Sequence, residues 1–440
     1  MRRESSESVA TPCGVGCTSR GDEGERWSLI GVGDRLVKIL FVSHRPPGPP
    51  DKGDKIRSHH LLKRLAARHR VEVACLYDED SELETMRESC SWAAELTARR
   101  RPRAEGIVRG LMAAASGRSL TSGYFHSTEL SRSVDRILQE RTPDVALAYC
   151  SGMAGYLKAF DGARVLDLVD VDSEKWRQYA CRARGGKRLV YALEARLLRA
   201  DEQRLVGEFD RSIVVSDAER DLLAGFCEES RIDVVPMGVD LARLQRGCAR
   251  PGTADLVFVG ALDYLPNSEG ITAFAREVFP AVRRRFPTAR LRIVGRRPGA
   301  GVRALSGLPG VEVAPDVPDV RNWLWGAAIA VVPLRIAQGV QNKVLEAMAA
   351  GVPVVASHTA TRGIDAVDAE HLHIAEDSAG MVAKITHLLE NPIEADAMAK
   401  RALEFVRAHH DWDTAALAYE RVLQSALEQR GPSKREGGAC

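Results

Sequence analysis

The densest set of residues able to do chemistry is PLRIAQGVQNKVLEAMAAGVPVVAS, Pro333 to Ser357. A polar loop carrying Arg335, Gln338, Gln341 and Asn342 follows the apolar run Ile329 to Val332. A helix is expected from Lys343 to Ala350, stopped by Gly351 and Pro353. Lys343 and Glu346 stand three apart, so they share a face near the helix start. Free backbone N–H groups and the helix dipole already favour anions there, and a lysine adds a mobile positive charge. A carboxylate one turn in can accept two hydroxyl hydrogen bonds. A solvated ion pair is the plain alternative, with Val344, Leu345 and Met348 forming the packed face.

Three further loops repeat parts of this pattern. SHRPPGPPDKGDKIRS places Gly53 directly before a helix, among Lys52, Lys55 and Arg57. A glycine lets a phosphate approach the backbone closely; the alternative is a surface turn with solvated lysines. The loop Gly260 to Asn267 has the same position after an apolar run, with Asn267 read alternatively as a helix N-cap. IVGRRPG, Ile293 to Gly299, brings Arg296 after another such run. LDLVDVDSEKW contains Asp170 and Asp172, and Asp172 or Ser173 can cap a helix. Acidic spacing alone does not call for a metal, and none is expected. Gly31-Val32-Gly33 precedes its apolar run, so it is not a dinucleotide fingerprint.

These loops need elements to hold them. Short apolar runs at Val37–Val42, Val71–Leu76, Val145–Ala148, Arg164–Val169, Arg211–Val215 and Ile232–Val235 read as strands separated by helices. The longest helix is expected from Gly186 to Val206. The pattern restarts at Leu256–Gly260 and continues through Leu291–Val294, Val311–Val313, Ile329–Val332 and Val352–Val355. Two successive alternating sets predict an α/β protein with two Rossmann-like parallel-sheet domains. The expected divisions are an extension at 1–36, domains at 37–245 and 254–408, a returning helix at 409–430 and a tail at 431–440. In open α/β sheets ligands bind beyond the carboxyl ends of the strands, which selects the loops above.

Composition narrows the partners. The formal net charge is +2, unlike the strongly basic balance of a nucleic-acid binder. Nine cysteines occur with no Cys-x-x-Cys pair, and read as reduced, mostly buried thiols in a cytoplasmic protein. No apolar run approaches the ~18 residues of a membrane span, and the first residues lack the apolar core of a signal peptide. Arg99 to Arg103, followed by Ile107, Val108, Leu111 and Met112, has two readings. One is a helix lying on anionic lipid at the inner membrane face; the other is a solvated loop leading into a core helix.

The chain resembles the retaining glycosyltransferases of GT-B fold, family 4 (group 1), and within them the sugar transferases associated with PEP-CTERM/exosortase exopolysaccharide systems. The stretches that carry the resemblance are FVSHRPPGPPDKGDKIRSHHLLKRLA, LDLVDVDSEKW, VVSDAERDLL, FVGALDYLPNSEGI and QGVQNKVLEAMAAGVPVVAS. They run in order from Phe41 to Ser357, and the last is the most specific. The resemblance implies a nucleotide-sugar donor, a glycan or lipid-linked acceptor, and no cofactor. Glu346 matches the second glutamate of the Glu-x7-Glu motif and would hold the donor ribose. The first falls on Gln338, a departure. Gly53 matches the glycine whose backbone meets the diphosphate. The usual Arg/Lys pair after the first strand of the second half falls on Ala261 and Asn267, a second departure. Lys343 then becomes the first candidate for the diphosphate, followed by Arg335 and Arg296. Gly260 and Asn342 flank the donor, and Val317 to Val320 would lie beside the base. The resemblance also implies that Asp170 and Asp172 orient an acceptor hydroxyl or the donor sugar. Pro236-Met237-Gly238-Val239-Asp240 is similar to the hinge-side Pro-Asn-Gly-Val-Asp turn. The rival readings are a nucleotide-sugar-binding protein without transfer activity and a GT-B UDP-sugar 2-epimerase.

Overall fold

The computed structural model describes residues 36–50, 53–246, 252–337 and 339–431. The expected extension at 1–36, apart from Leu36, lies outside the described residues, as do the tail from 432 onward, Lys52 and Gln338.

Seven strands form the first sheet: β1 (Lys38–Ser43), β2 (Arg70–Tyr77), β3 (Glu95–Arg100), β4 (Val145–Tyr149), β5 (Ala163–Val169), β6 (Arg211–Val214) and β7 (Ile232–Val234). Their spatial order is β3-β2-β1-β4-β5-β6-β7. Six more form the second: β8 (Leu256–Val259), β9 (Leu291–Gly295), β10 (Val311–Pro315), β11 (Ile329–Val332), β12 (Val354–Ser357) and β13 (His373–Ala375). Their order is β10-β9-β8-β11-β12-β13. All pairings are parallel. The chain is therefore a doubly wound α/β protein with two Rossmann-like sheets, as the alternation predicts.

Central parallel strands are covered on both faces, so they read as unbroken apolar runs; β4 and β11 are buried at every position. β3 and β13 escape such a reading. β3 is an edge strand of sequence ELTARR with half-exposed residues, and β13 has three residues.

In each sheet the strand order reverses once, between β1 and β4 and between β8 and β11. A crevice opens at such a reversal, beyond the carboxyl ends. The loops after β1, β4, β8 and β11 border these crevices, and three of them are the loops that the sequence singles out.

The helix Trp412–Arg430 lies against the helix Gly53–Ala66 of the first sheet. Trp412 stacks on His60 at 5.0 Å, and Glu420 takes Arg68 and His69 at 2.9 Å each. The 236–240 turn passes under this helix. A side chain on Gly238 would strike the Trp412 ring at 2.4 Å, and Val239 N–H donates to His410 O.

Candidate functional site

Two helix N-termini face each other across the cleft between the sheets. One belongs to Gly53–Ala66 and the other to Asn342–Ala349. A Cβ on Gly53 would sit 3.5 Å from Asn342 Nδ2. Each terminus is the positive end of its helix dipole.

Lys343 and Glu346 are half-buried on the second helix. Lys343 Nζ donates to Gln341 Oε1 at 3.0 Å. Burial pulls the Lys343 ammonium down to about 8, opposed by Glu346. Burial likewise pushes the Glu346 carboxyl up, opposed by Lys343 and Arg243. The helix buries Val344, Leu345 and Met348 as expected, so its polar face is turned to the cleft.

Other expected cations point elsewhere. Arg335 is 56% exposed and donates to Glu277 at 2.7 Å, while its carbonyl accepts Arg182 Nη2 from the opposite half at 2.7 Å. Lys55 is buried 3.4 Å from Glu82. Arg57 is wholly buried 3.4 Å from Asp167, and it also donates to the carbonyls of Val235 and Pro236. Their spacing around Gly53 suggested solvated or phosphate-facing groups. The helix instead turns both inward: Arg57 ties the sheet to the 235–236 crossing, and Lys55 meets Glu82.

Asn267 is not a helix cap: the helix Leu265–Ala273 begins after Tyr264. Asn267 is buried and donates to Ala261 O at 2.8 Å, so the two departures from the Arg/Lys pair latch one loop together. Gly260 leaves room for that latch, since a Cβ there would lie 3.0 Å from Asn267 Nδ2. Arg296 is half-buried, with its carbonyl accepting Leu262 N–H. Val320 starts the short helix Arg321–Trp325 and packs against the core.

Asp170 stands at the end of β5, on the first-domain side of the cleft. A side chain on Gly339 of the second half would lie 2.0 Å from Asp170 Oδ1. Gly339 has φ +65, a conformation that glycine adopts freely. Burial pushes the Asp170 carboxyl up to about 7; Glu219 adds to this and Lys175 opposes it. Asp172 is ion-paired with Lys175. Neither aspartate caps the helix Asp172–Arg182. That end is held by Glu219, which accepts Val171 N–H at 2.6 Å, and by Glu202, which accepts Ser173 N–H at 3.0 Å. Burial pushes the Glu202 carboxyl up to about 8. Among the described residues no group of three His, Cys, Asp or Glu could hold a metal ion.

Sequence reasoning gave no role to His44, Tyr149, Cys150 or Lys175. The loop after β4 borders the same strand reversal as the loop after β1, and that position was the available signal. His44 lies 3.4 Å from Asp54 and stacks parallel to Tyr149. Burial opposes charge on His44, but Cys150 and Asp54 outweigh it and hold the imidazole up at about 9. Cys150 and Val169 both have positive φ, +74 and +67. Such backbone is costly for residues with a Cβ and gathers at functional sites. Of the five described cysteines, Cys181 is exposed and Cys227 half-buried, which corrects the expectation of buried thiols there.

Both halves of the chain have known relatives. Residues 55–243 match the family profile Glycosyltransferase Family 4, and residues 253–391 match Glycosyl transferases group 1. A glycogen synthase of Mycobacterium tuberculosis (strain H37Rv) is 28% identical over 262 residues, 55% of this chain and 60% of that protein. A D-inositol 3-phosphate glycosyltransferase of Actinosynnema mirum is 34% identical over 192 residues, 38% of this chain and 45% of that protein. The chain thus spans about half to three-fifths of the length of these relatives. Among solved structures, sucrose-phosphate synthase from Thermosynechococcus elongatus superposes with TM-score 0.66 at 16% identity, covering 89% of this chain and all of that one. HepE of Anabaena, solved in complex with UDP, superposes with TM-score 0.64 at 14% identity, covering 88% of this chain and all of that one. With a family 4 half, a group 1 half and two facing parallel sheets, the chain belongs to the group 1, family 4 glycosyltransferases of GT-B fold.

Proposed function

We propose that the protein transfers a sugar, with retention, from a nucleoside-diphosphate donor to a hydroxyl of a glycan or lipid-linked acceptor in cell-surface polysaccharide synthesis. The observation that carries this reading is the pair of opposed helix N-termini, with Lys343 and Glu346 on one and Gly53 on the other. As the glycosidic bond to the diphosphate breaks, negative charge grows on the leaving phosphate. Backbone N–H groups at Gly53 and Asn342 and the Lys343 ammonium are positioned to stabilise it. Glu346 accepts the ribose hydroxyls. Asp170, beside Gly339, orients the acceptor hydroxyl, which attacks the anomeric carbon from the face the diphosphate leaves. Arg296, Val320 and the Asn267 latch shape the donor side, and Arg335 joins it after release from Glu277.

Lys343 and the helix ends meet the phosphate charge without a metal, and Asp172 is already neutralised by Lys175. Activity is therefore expected to survive EDTA. Loss with EDTA and recovery with Mg²⁺ or Mn²⁺ would refute that part. The donor reading is tested by thermal shift with UDP-, GDP-, ADP- and dTDP-sugars. A ligand at 100 times its Kd raises stability by about 2.7 kcal/mol. No rise with any of the four would overturn the reading. A rise without sugar transfer or donor hydrolysis would leave a binding protein.

A further inference from the structure

Apolar helices of soluble domains usually turn their largest side chains inward. The helix Arg103–Ala115 does the reverse. Its buried residues are Gly106 and Gly110. A Cβ on Gly106 would lie 2.9 Å from Tyr124 O, one on Gly110 3.0 Å from Leu120 O, and one on Gly123 2.3 Å from Arg109 O. This glycine face lets the helix sit directly on Leu120–Tyr124. Ile107, Val108, Leu111 and Met112 are left between 57% and 67% exposed, so of the two readings of this segment the core helix is excluded.

A second apolar edge borders a cavity that Ile107 and Leu111 also line. Leu189, Val190 and Leu193, near the start of the helix Gly186–Glu208, are between 48% and 73% exposed. The cavity has a volume of about 710 Å³, ample for a sizeable ligand. It is lined by Trp176 and the exposed Ile107, Leu111 and Val190, and also by His44, Lys175 and Asp170, the last of which abuts Gly339 of the second half. The lining thus joins exposed aliphatic side chains to charged groups. Exposed apolar edges of this extent mark an interaction surface.

Charge says what covers it. Residues 99–118 contain six Arg against one Glu, and residues 182–199 contain six Arg or Lys against one Glu, in a chain of net charge +2. Arg101 is turned inward to Asp78 and Glu194 is buried under Leu120 and Thr121, but Arg100, Arg103, Arg184, Lys187 and Arg188 are exposed. Cations beside exposed aliphatics fit an anionic bilayer, whose negative surface potential attracts them. No described helix is long and apolar enough to cross a membrane, so the contact is peripheral.

We propose that this cavity takes the hydrocarbon chain of a membrane-embedded, lipid-linked acceptor, and that the two exposed helix edges seat on the anionic bilayer that holds it. The acceptor's role rests on the transfer reading above. The lipid chain enters between Leu111 and Val190, and the headgroup hydroxyl reaches Asp170.

The test uses the full chain with vesicles of equal parts phosphatidylglycerol and phosphatidylcholine, against phosphatidylcholine alone. Sedimentation with the anionic vesicles, weakened by salt, is expected. Met112→Asp and Leu189→Asp should each weaken partition roughly tenfold or more, the equivalent of one buried aliphatic side chain. Their melting temperatures in solution serve as the folding control. Phosphatidylglycerol brominated on its acyl chains should quench tryptophan fluorescence, and most of that quenching should vanish in Trp176→Phe. No vesicle binding, binding indifferent to Met112→Asp and Leu189→Asp, or a dimer in solution that these variants dissociate would overturn the membrane seat. Quenching unaltered by Trp176→Phe would overturn the cavity assignment. The donor thermal shift is measured without vesicles, so failure of the transfer reading shows there and not here.

Discussion

Two helices of similar composition treat their apolar side chains in opposite ways. Asn342–Ala349 buries Val344, Leu345 and Met348 against its sheet and lifts Lys343 and Glu346 into the cleft. Arg103–Ala115 packs on two glycines and leaves its four large aliphatics outside. The first is a rigid mount for polar groups. The second is a surface in its own right. Periodicity finds both helices, but the neighbour decides which face is covered.

The contrast can be broken most forcefully at matched leucines. Leu345 is fully buried, so Leu345→Ala should cost about 2–5 kcal/mol of stability. Leu111, 62% exposed, should change it by less than about 0.5 kcal/mol when replaced by Ser. Equal effects in chemical denaturation would refute the distinction.

The mount itself is probed at its two polar residues. Lys343 faces charge that grows in the transition state, so Lys343→Gln should lower kcat by about 10²–10³. Glu346 would contact ribose hydroxyls that change little during transfer, so Glu346→Ala should mainly raise KM. Steady-state kinetics that reverse these effects would exchange the two roles. Unchanged kinetics for both would place the site elsewhere.

A smaller effect is expected where the outward helix meets its glycine seat. Gly123→Ala would bring a Cβ to 2.3 Å from Arg109 O, a backbone atom that cannot swing aside. A loss of about 1–3 kcal/mol is expected, read as a lowered melting midpoint. No loss would show that the two helices can separate freely.

The mildest effect is titration. Lys343 loses its proton near pH 8 in the free protein. Below that the ammonium attracts the diphosphate, and above it the attraction fades. Donor affinity should therefore fall as pH rises through about 8, and bound diphosphate should raise the lysine's pKa. Isothermal titration across this range checks the slope, which should flatten in Lys343→Gln.

The two-sheet architecture is legible in the amino-acid order, because buried parallel strands must be short, apolar and separated by helices. Three of the four loops at the strand reversals and the shared helix face of Lys343 and Glu346 are legible as well, since both follow from local spacing; the loop after β4 is not. Nor are β3 and β13, whose exposure or brevity removes the apolar signal. Tertiary structure alone decided that Arg57 and Lys55 turn inward, that Arg335 meets Glu277, and that Asn267 latches Ala261. It also brought Gly339 against Asp170 and turned Ile107 to Met112 outward. The reason is common to all of these. A side chain's type and period fix which face it occupies on its own element. Its charge partner, or its exposure, depends on an element distant in sequence that happens to cover that face.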